Sequence, residues 1–110
     1  MNKPDKICAI DASTNSLAFA IFDKEELTHV GKINFVGVTT YDKVADACAK
    51  TEAVFKMFDV EAVVIEHTVF INSPKTAADL ALVQGSLLGG MALAGIKRIK
   101  SINPIAWQTF

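Results

Sequence analysis

The chain has 110 residues, a formal net charge of −1 and 51% apolar residues, a size that suits one compact domain with a sizeable core. Such a composition excludes disorder, and Cys8 and Cys48, the only cysteines, exclude a disulfide scaffold. Charged residues reach only 21%, which points to a surface covered by a partner or to a domain lacking part of its cover.

The first element is the apolar run Ile7 to Ala12, which suits a central strand buried on both faces. Ser13-Thr14-Asn15-Ser16 is a turn cluster. A second apolar run, Leu17 to Phe22, follows so closely that the two form an antiparallel hairpin. Leu27 to Phe35 reads as a third strand at the sheet edge, with Leu27, Ile33 and Phe35 on one face. Thr39 and Asp42 have the spacing of a capping box, and Tyr41, Val44, Cys48, Phe55 and Phe58 give an amphipathic helix over 40–58. Glu61 to His67 contains Ala62-Val63-Val64-Ile65, a buried parallel strand.

Ser73-Pro74 is a helix start, and the helix runs from Lys75 to about Gly95. Ala81, Gly85 and Gly89 recur every fourth position, with Gly90 beside them. Each helix glycine costs roughly 1 kcal/mol against alanine, so the pattern implies close approach by another element. Ile96 to Asn103 is a last strand, and Asn103-Pro104 opens a last helix. The order β-β-β-α-β-α-β-α predicts a mixed α/β sheet, strand order 3-2-1-4-5 with strand 2 antiparallel, and helices on both faces.

Charge is unevenly placed. Residues 1–66 carry seven lysines against eleven acids, and residues 67–110 carry Lys75, Lys97, Arg98 and Lys100 against Asp79. Asp79 is expected in the first turn of its helix, where an acid favours the helix dipole. The two cysteines sit in apolar surroundings and read as buried free thiols of a reducing cytoplasm. The polar start MNKPDK and the interrupting Asp11 argue against a secretory leader. Leu80 to Ile96 is uncharged for 17 residues, short of the roughly 20 of a membrane span.

Asp11 and Glu66 each end a buried apolar run, where a charge is costly unless paired or bound to metal. If strands 1 and 4 are parallel neighbours, both carboxylates lie at the carboxyl edge of the sheet on strands about 4.8 Å apart, where they can share or bridge hard cations. The plainer reading has Asp11 capping the Ser13–Ser16 turn and Glu66 solvated at a strand end.

The segment AIDASTNSLAFAIFD resembles the first hairpin of RuvC-type nucleases, the Holliday-junction resolvases of the RNase H-like superfamily. The stretch from VVIEHTVF through the glycine-rich helix to INPIAWQTF resembles the same family from its second catalytic acid onward. The resemblance implies an RNase H-like fold and a Mg²⁺- or Mn²⁺-dependent endonuclease with two ions, ligated by Asp11 and Glu66. One ion would activate water and the other would stabilise the leaving 3′-oxygen. It further implies a homodimer acting on four-way or branched DNA in the cytoplasm of a bacterium or its phage, with no membrane association. Ala81, Gly85 and Gly89 would face the partner subunit. Phe70 would lie against bases, and Lys75, Lys97, Arg98 and Lys100 would contact phosphates.

Each of these residues has an ordinary alternative. Phe70 would also serve in a core, His67 as a strand-end histidine, and the basic residues as a solvated face. The chain departs from the family in one respect: no acid follows Asp79, whereas the family draws further carboxylates from a C-terminal helix. The expectation is therefore a single nuclease domain, 1–110, shortened at its C-terminus. Other readings are a phosphate-binding fragment of the actin-like superfamily, for which Asp11-Ala12-Ser13-Thr14 has the right pattern, a non-catalytic DNA-binding or dimerisation module, and an RNA-processing nuclease of the same fold.

Overall fold

The computed structural model describes residues 4–66 and 74–102. Five strands and two helices follow in the order β1 (Lys6–Ala12), β2 (Ser16–Asp23), β3 (Glu26–Asn34), α1 (Thr40–Phe58), β4 (Ala62–Glu66), α2 (Pro74–Leu93) and β5 (Arg98–Ile102). The strands form one sheet in the order β3-β2-β1-β4-β5. β1–β2 and β2–β3 are antiparallel, and β1–β4 and β4–β5 are parallel. The expected mixed sheet and its strand order are those observed. The helix anticipated after Pro104 falls outside the described residues, as do Phe70, His67 and Trp107.

Both crossovers end in the same way. Asp59 (φ 53°) follows α1 and Gly95 (φ 86°) follows α2 in the left-handed region. Their N–H groups donate back to Lys56 and Ala92, and the next residues, Val60 and Ile96, donate to Phe55 and Met91. Val60 and Ile96 are themselves buried, so each helix terminates in a Schellman motif closed by an apolar contact. At the other end of α1 the Thr39 hydroxyl accepts from the Asp42 N–H, and the Asp42 carboxylate accepts from the Thr39 N–H. That capping box was legible in the sequence.

One core holds the domain. Cys8, Ile10 and Ala12 of β1, Leu17 and Ile21 of β2, Ile33 of β3 and Val63 and Ile65 of β4 lie under Ala47 and Phe55 of α1 and Val83, Leu87 and Met91 of α2. The two helices pack against each other over this one face. They come close at Gly90, where a Cβ would come within 2.7 Å of the Cys48 carbonyl oxygen.

Three local expectations are corrected. Leu27 is 53% exposed while Ile33 and Phe35 are buried. The register shifts between Ile21 and Phe22, and the bulge turns Leu27 onto the opposite face from Ile33. Tyr41 is exposed rather than part of the apolar stripe of α1, and Cys48 is only partly buried. Asp79 lies beyond the first turn of α2, which contains no acid because the helix begins at Pro74.

Candidate metal and nucleic-acid site

Strand alternation decides what lies on the second face of the sheet. Residues flanking the buried Ile10 and Ala12 of β1 point away from the helices, and Asp11 between them is exposed. Ile10 pairs with Ile65 across the parallel β1–β4 ladder. The next residue on each strand is Asp11 and Glu66, so the two positions stand level on neighbouring strands, about 4.8 Å apart between backbones. Both are at the carboxyl edge of the parallel pair, where open α/β sheets place ligand sites.

Asp11 also pairs with Ala18, and Ala18 with Lys32. One rung of the sheet therefore runs Glu66, Asp11, Ala18, Lys32 from β4 to β3. Around it the floor is made of small residues. A hollow of about 260 Å³ is lined by Ala9, Ala18, Ala20 and Val64, with Asp11 at its rim. Asp11, Ala18 and Lys32 are exposed.

The turn after Asp11 is braced from three elements. The Ser13 hydroxyl accepts from the backbone N–H groups of Ser16 (3.1 Å) and Asn15 (3.3 Å). It is this hydroxyl that caps the turn, a role the sequence left open for Asp11. The Asn15 carbonyl oxygen accepts from Phe35 N–H (2.8 Å) at the end of β3. Its side-chain oxygen accepts from Lys43 Nζ (2.7 Å) in the first turns of α1. Beside it, Asp46 accepts from Val36 N–H at 2.7 Å and pairs with Lys50 at 2.8 Å. The Lys50 ammonium and the Val36 N–H hold the Asp46 carboxyl below its ordinary range. These contacts tie the turn after Asp11 to the end of β3 and to α1.

The basic residues expected to meet DNA are spread more widely. Arg98 pairs with Ala62 and Lys100 with Val64, while Ile102 is level with Glu66. Lys100 is two residues and Arg98 four residues short of that edge, about 7 Å and 13 Å along the strand. Lys97 and Arg98 line a separate cleft with Asp59 and Glu61. Lys75 is the second residue of α2, and Phe70 lies outside the described residues. Sequence reasoning missed Lys32. The available signal was its place opposite the hairpin, but the rung is visible only once the β2–β3 register is known.

Ala81, Gly85 and Gly89 all lie on the exposed side of α2. A Cβ at Gly85 would meet nothing within 4 Å, and one at Gly89 only the Cys48 sulfur at 3.9 Å. Leu82, Leu88 and Leu93 are exposed beside them, at 44%, 42% and 61%. That makes an uncharged apolar strip along the outer side of the helix.

Among the described residues no group of three or more His, Cys, Asp or Glu gathers in the manner of a complete metal site. Asp11 and Glu66 are the acidic positions at the β1–β4 edge. Hard oxygen donors on one open edge suit Mg²⁺ or Mn²⁺, which retain positions for water and phosphate oxygen. Among the described residues, no helix is long and apolar enough to cross a membrane.

No protein-family model matches the chain, and no curated protein matches it in sequence. Its fold does have solved counterparts. Thermus thermophilus RuvC in complex with a Holliday-junction substrate superposes with a TM-score of 0.82 at 18% identity, covering 94% of this chain and 68% of that one. A second Thermus thermophilus RuvC structure gives 0.75 at 20% identity, covering 90% and 64%. The yeast mitochondrial Holliday-junction resolvase gives 0.70 at 8% identity, covering 96% and 56%. The chain therefore has the RuvC fold, and it spans between about half and two thirds of the length of these proteins.

Proposed function

We propose that this chain is the core of a metal-dependent endonuclease that resolves four-way DNA junctions. The observation that carries the reading is the level placement of positions Asp11 and Glu66 on adjacent parallel strands, at the carboxyl edge of a sheet with the RuvC fold. Asp11 and Glu66 would hold Mg²⁺ or Mn²⁺, with two ions when substrate is bound. Bound there, the metal would supply an activated water and charge neutralisation at the scissile phosphate. The protein's own part is to fix two anionic oxygens on a rigid ladder so that charge and geometry are set before substrate arrives. Two carboxylates satisfy only part of a hard cation's coordination shell. Water and phosphate oxygens would fill the remaining positions.

A four-way junction has two equivalent strands to cut, which calls for two copies of the site. The strip of Ala81, Gly85 and Gly89 with Leu82, Leu88 and Leu93 provides a self-complementary surface for a homodimer. Gly85→Lys, placed where no neighbour lies within 4 Å, leaves the fold intact and converts dimer to monomer in light scattering. A wild-type protein that is monomeric at every concentration removes this part of the reading.

The test of the function is Mg²⁺-dependent nicking of a synthetic four-way junction against a linear duplex of the same sequence. Selective nicking of the junction supports the reading. Retention of the junction with no cleavage favours a non-catalytic binding module.

A further inference from the structure

The three lysines of α1 are held in different ways. Lys50 pairs with Asp46 at 2.8 Å and Lys56 with Glu52 at 2.6 Å, each one helical turn after its acid. Lys43 has Thr39 and Ala47 at the corresponding positions. Its ammonium donates instead to the side-chain oxygen of Asn15 at 2.7 Å, a neutral amide. The acids beside it on the helix are engaged elsewhere, Asp46 by Lys50 and the Val36 N–H and Asp42 by the Thr39 N–H. Among the described residues Lys43 pairs with no carboxylate. The stretches 1–3, 67–73 and 103–110 contain no Asp or Glu, so no acidic side chain from them can neutralise it.

That charge also stands where a helix least favours it. Lys43 is the fourth residue of α1, near the positive end of the helix dipole, and holding a lysine in one place costs side-chain entropy. A neutral donor would brace the turn without the charge penalty. The turn it reaches is the one after Asp11. Asn15 is four residues beyond Asp11, so their backbones lie at most about 14 Å apart. The Ala12–Leu17 pair that closes this hairpin folds the chain back and shortens the span. An ordered, uncompensated cation therefore stands beside the Asp11–Glu66 edge, on the side of the turn that α1 occupies.

We propose that Lys43 binds a phosphate of the cut DNA strand, within about four nucleotides of the one held at the Asp11–Glu66 edge. This rests on the reading just given. Phosphates along one strand advance about 3.4 Å per nucleotide along the helix axis, which sets that range. An ammonium has three donors. It keeps one on Asn15 and offers the others to phosphate oxygens, so the amide aims the charge before DNA arrives. Lys43 fixes the path of the strand and does not touch the reacting atoms.

The experiment is equilibrium binding of a synthetic four-way DNA junction in Ca²⁺ over a range of salt concentrations. It compares the wild-type chain with Lys43→Gln, Lys43→Arg and Lys56→Gln, and follows the unfolding midpoint of each. Glutamine keeps a donor for Asn15 and removes the charge. Lys56, in the last turn of α1, is the control. Lys43→Gln is expected to lower affinity about fivefold at low salt and to reduce the slope of log K against log salt by about one, with its midpoint unchanged. Lys43→Arg keeps affinity and slope, and Lys56→Gln matches wild type. Wild-type affinity and slope in Lys43→Gln overturn the inference and leave the junction-binding reading standing. So does a loss of affinity with an unchanged slope, which marks a bracing contact only. A wild-type chain that binds no junction overturns both.

Discussion

On the helical side of the sheet, Cys8, Ile10, Leu17, Ile21, Val63 and Ile65 are sealed beneath α1 and α2. On the other side, the same strands present Ala9, Asp11, Ala18, Ala20 and Val64 around a hollow, with Lys32 and Leu27 exposed on β3. The strands contribute alternate residues to each side, so one backbone serves two purposes. The sealed side carries folding energy. The other side carries small side chains around Asp11 and charges that a core could not hold, with the larger Ile7, Phe22 and Leu27 toward its far end.

The contrast breaks most visibly at a fully enclosed residue. Leu87 of α2 is fully buried, and Leu87→Ala is expected to cost about 2–5 kcal/mol in denaturant unfolding. The half-buried Val64 of the open face should cost less than about 1.5 kcal/mol when shortened to alanine. Equal losses would mean that the open face is as tightly packed as the core.

Glycines of α2 give the next effect, and here the sign changes between neighbours. Gly90→Ala drives a methyl against the Cys48 carbonyl oxygen and Thr51, and should destabilise the monomer by about 1–3 kcal/mol. Gly85→Ala meets nothing and should stabilise it by up to about 1 kcal/mol through helix propensity. Both are read from thermal or denaturant midpoints.

The cysteines sharpen the same distinction at a smaller scale. Burial pushes the Cys8 thiol up to about 12 from an ordinary 9.0. The folded state favours the neutral thiol, so this contribution to stability is full below the ordinary value. It is lost as the pH rises from about 9 through about 12. Cys48, partly buried beside Gly89, should react with a thiol reagent in the native protein at neutral pH, while Cys8 reacts only on unfolding. Stoichiometric labelling of Cys8 in the native state would contradict the core assignment.

Much of this architecture was legible in the residue order. Apolar runs ending in Asp11 and Glu66, the Thr39–Asp42 cap and the Pro74 helix start gave the element sequence and the strand order. Other features were hidden because periodicity carries no register. A bulge in the β2–β3 ladder put Leu27 on the open face. The stripe in α1 did not show that Tyr41 is exposed. Spacing alone could not tell that Gly90 makes the tight helix crossing and that Gly85 and Gly89 face outward. Lys32 joined the carboxylate rung only through two pairings, Asp11 to Ala18 and Ala18 to Lys32.

The central claim is that the open edge at Asp11 and Glu66 is a metal-dependent cutting site. It is tested most directly by Mg²⁺-dependent cleavage of a four-way junction with wild type, Asp11→Asn and Glu66→Gln. Asp11 is exposed, so its substitution should leave stability within about 0.5 kcal/mol of wild type. Either substitution should lower the cleavage rate at least about a hundredfold. Cleavage at the wild-type rate by both substituted proteins would contradict the account.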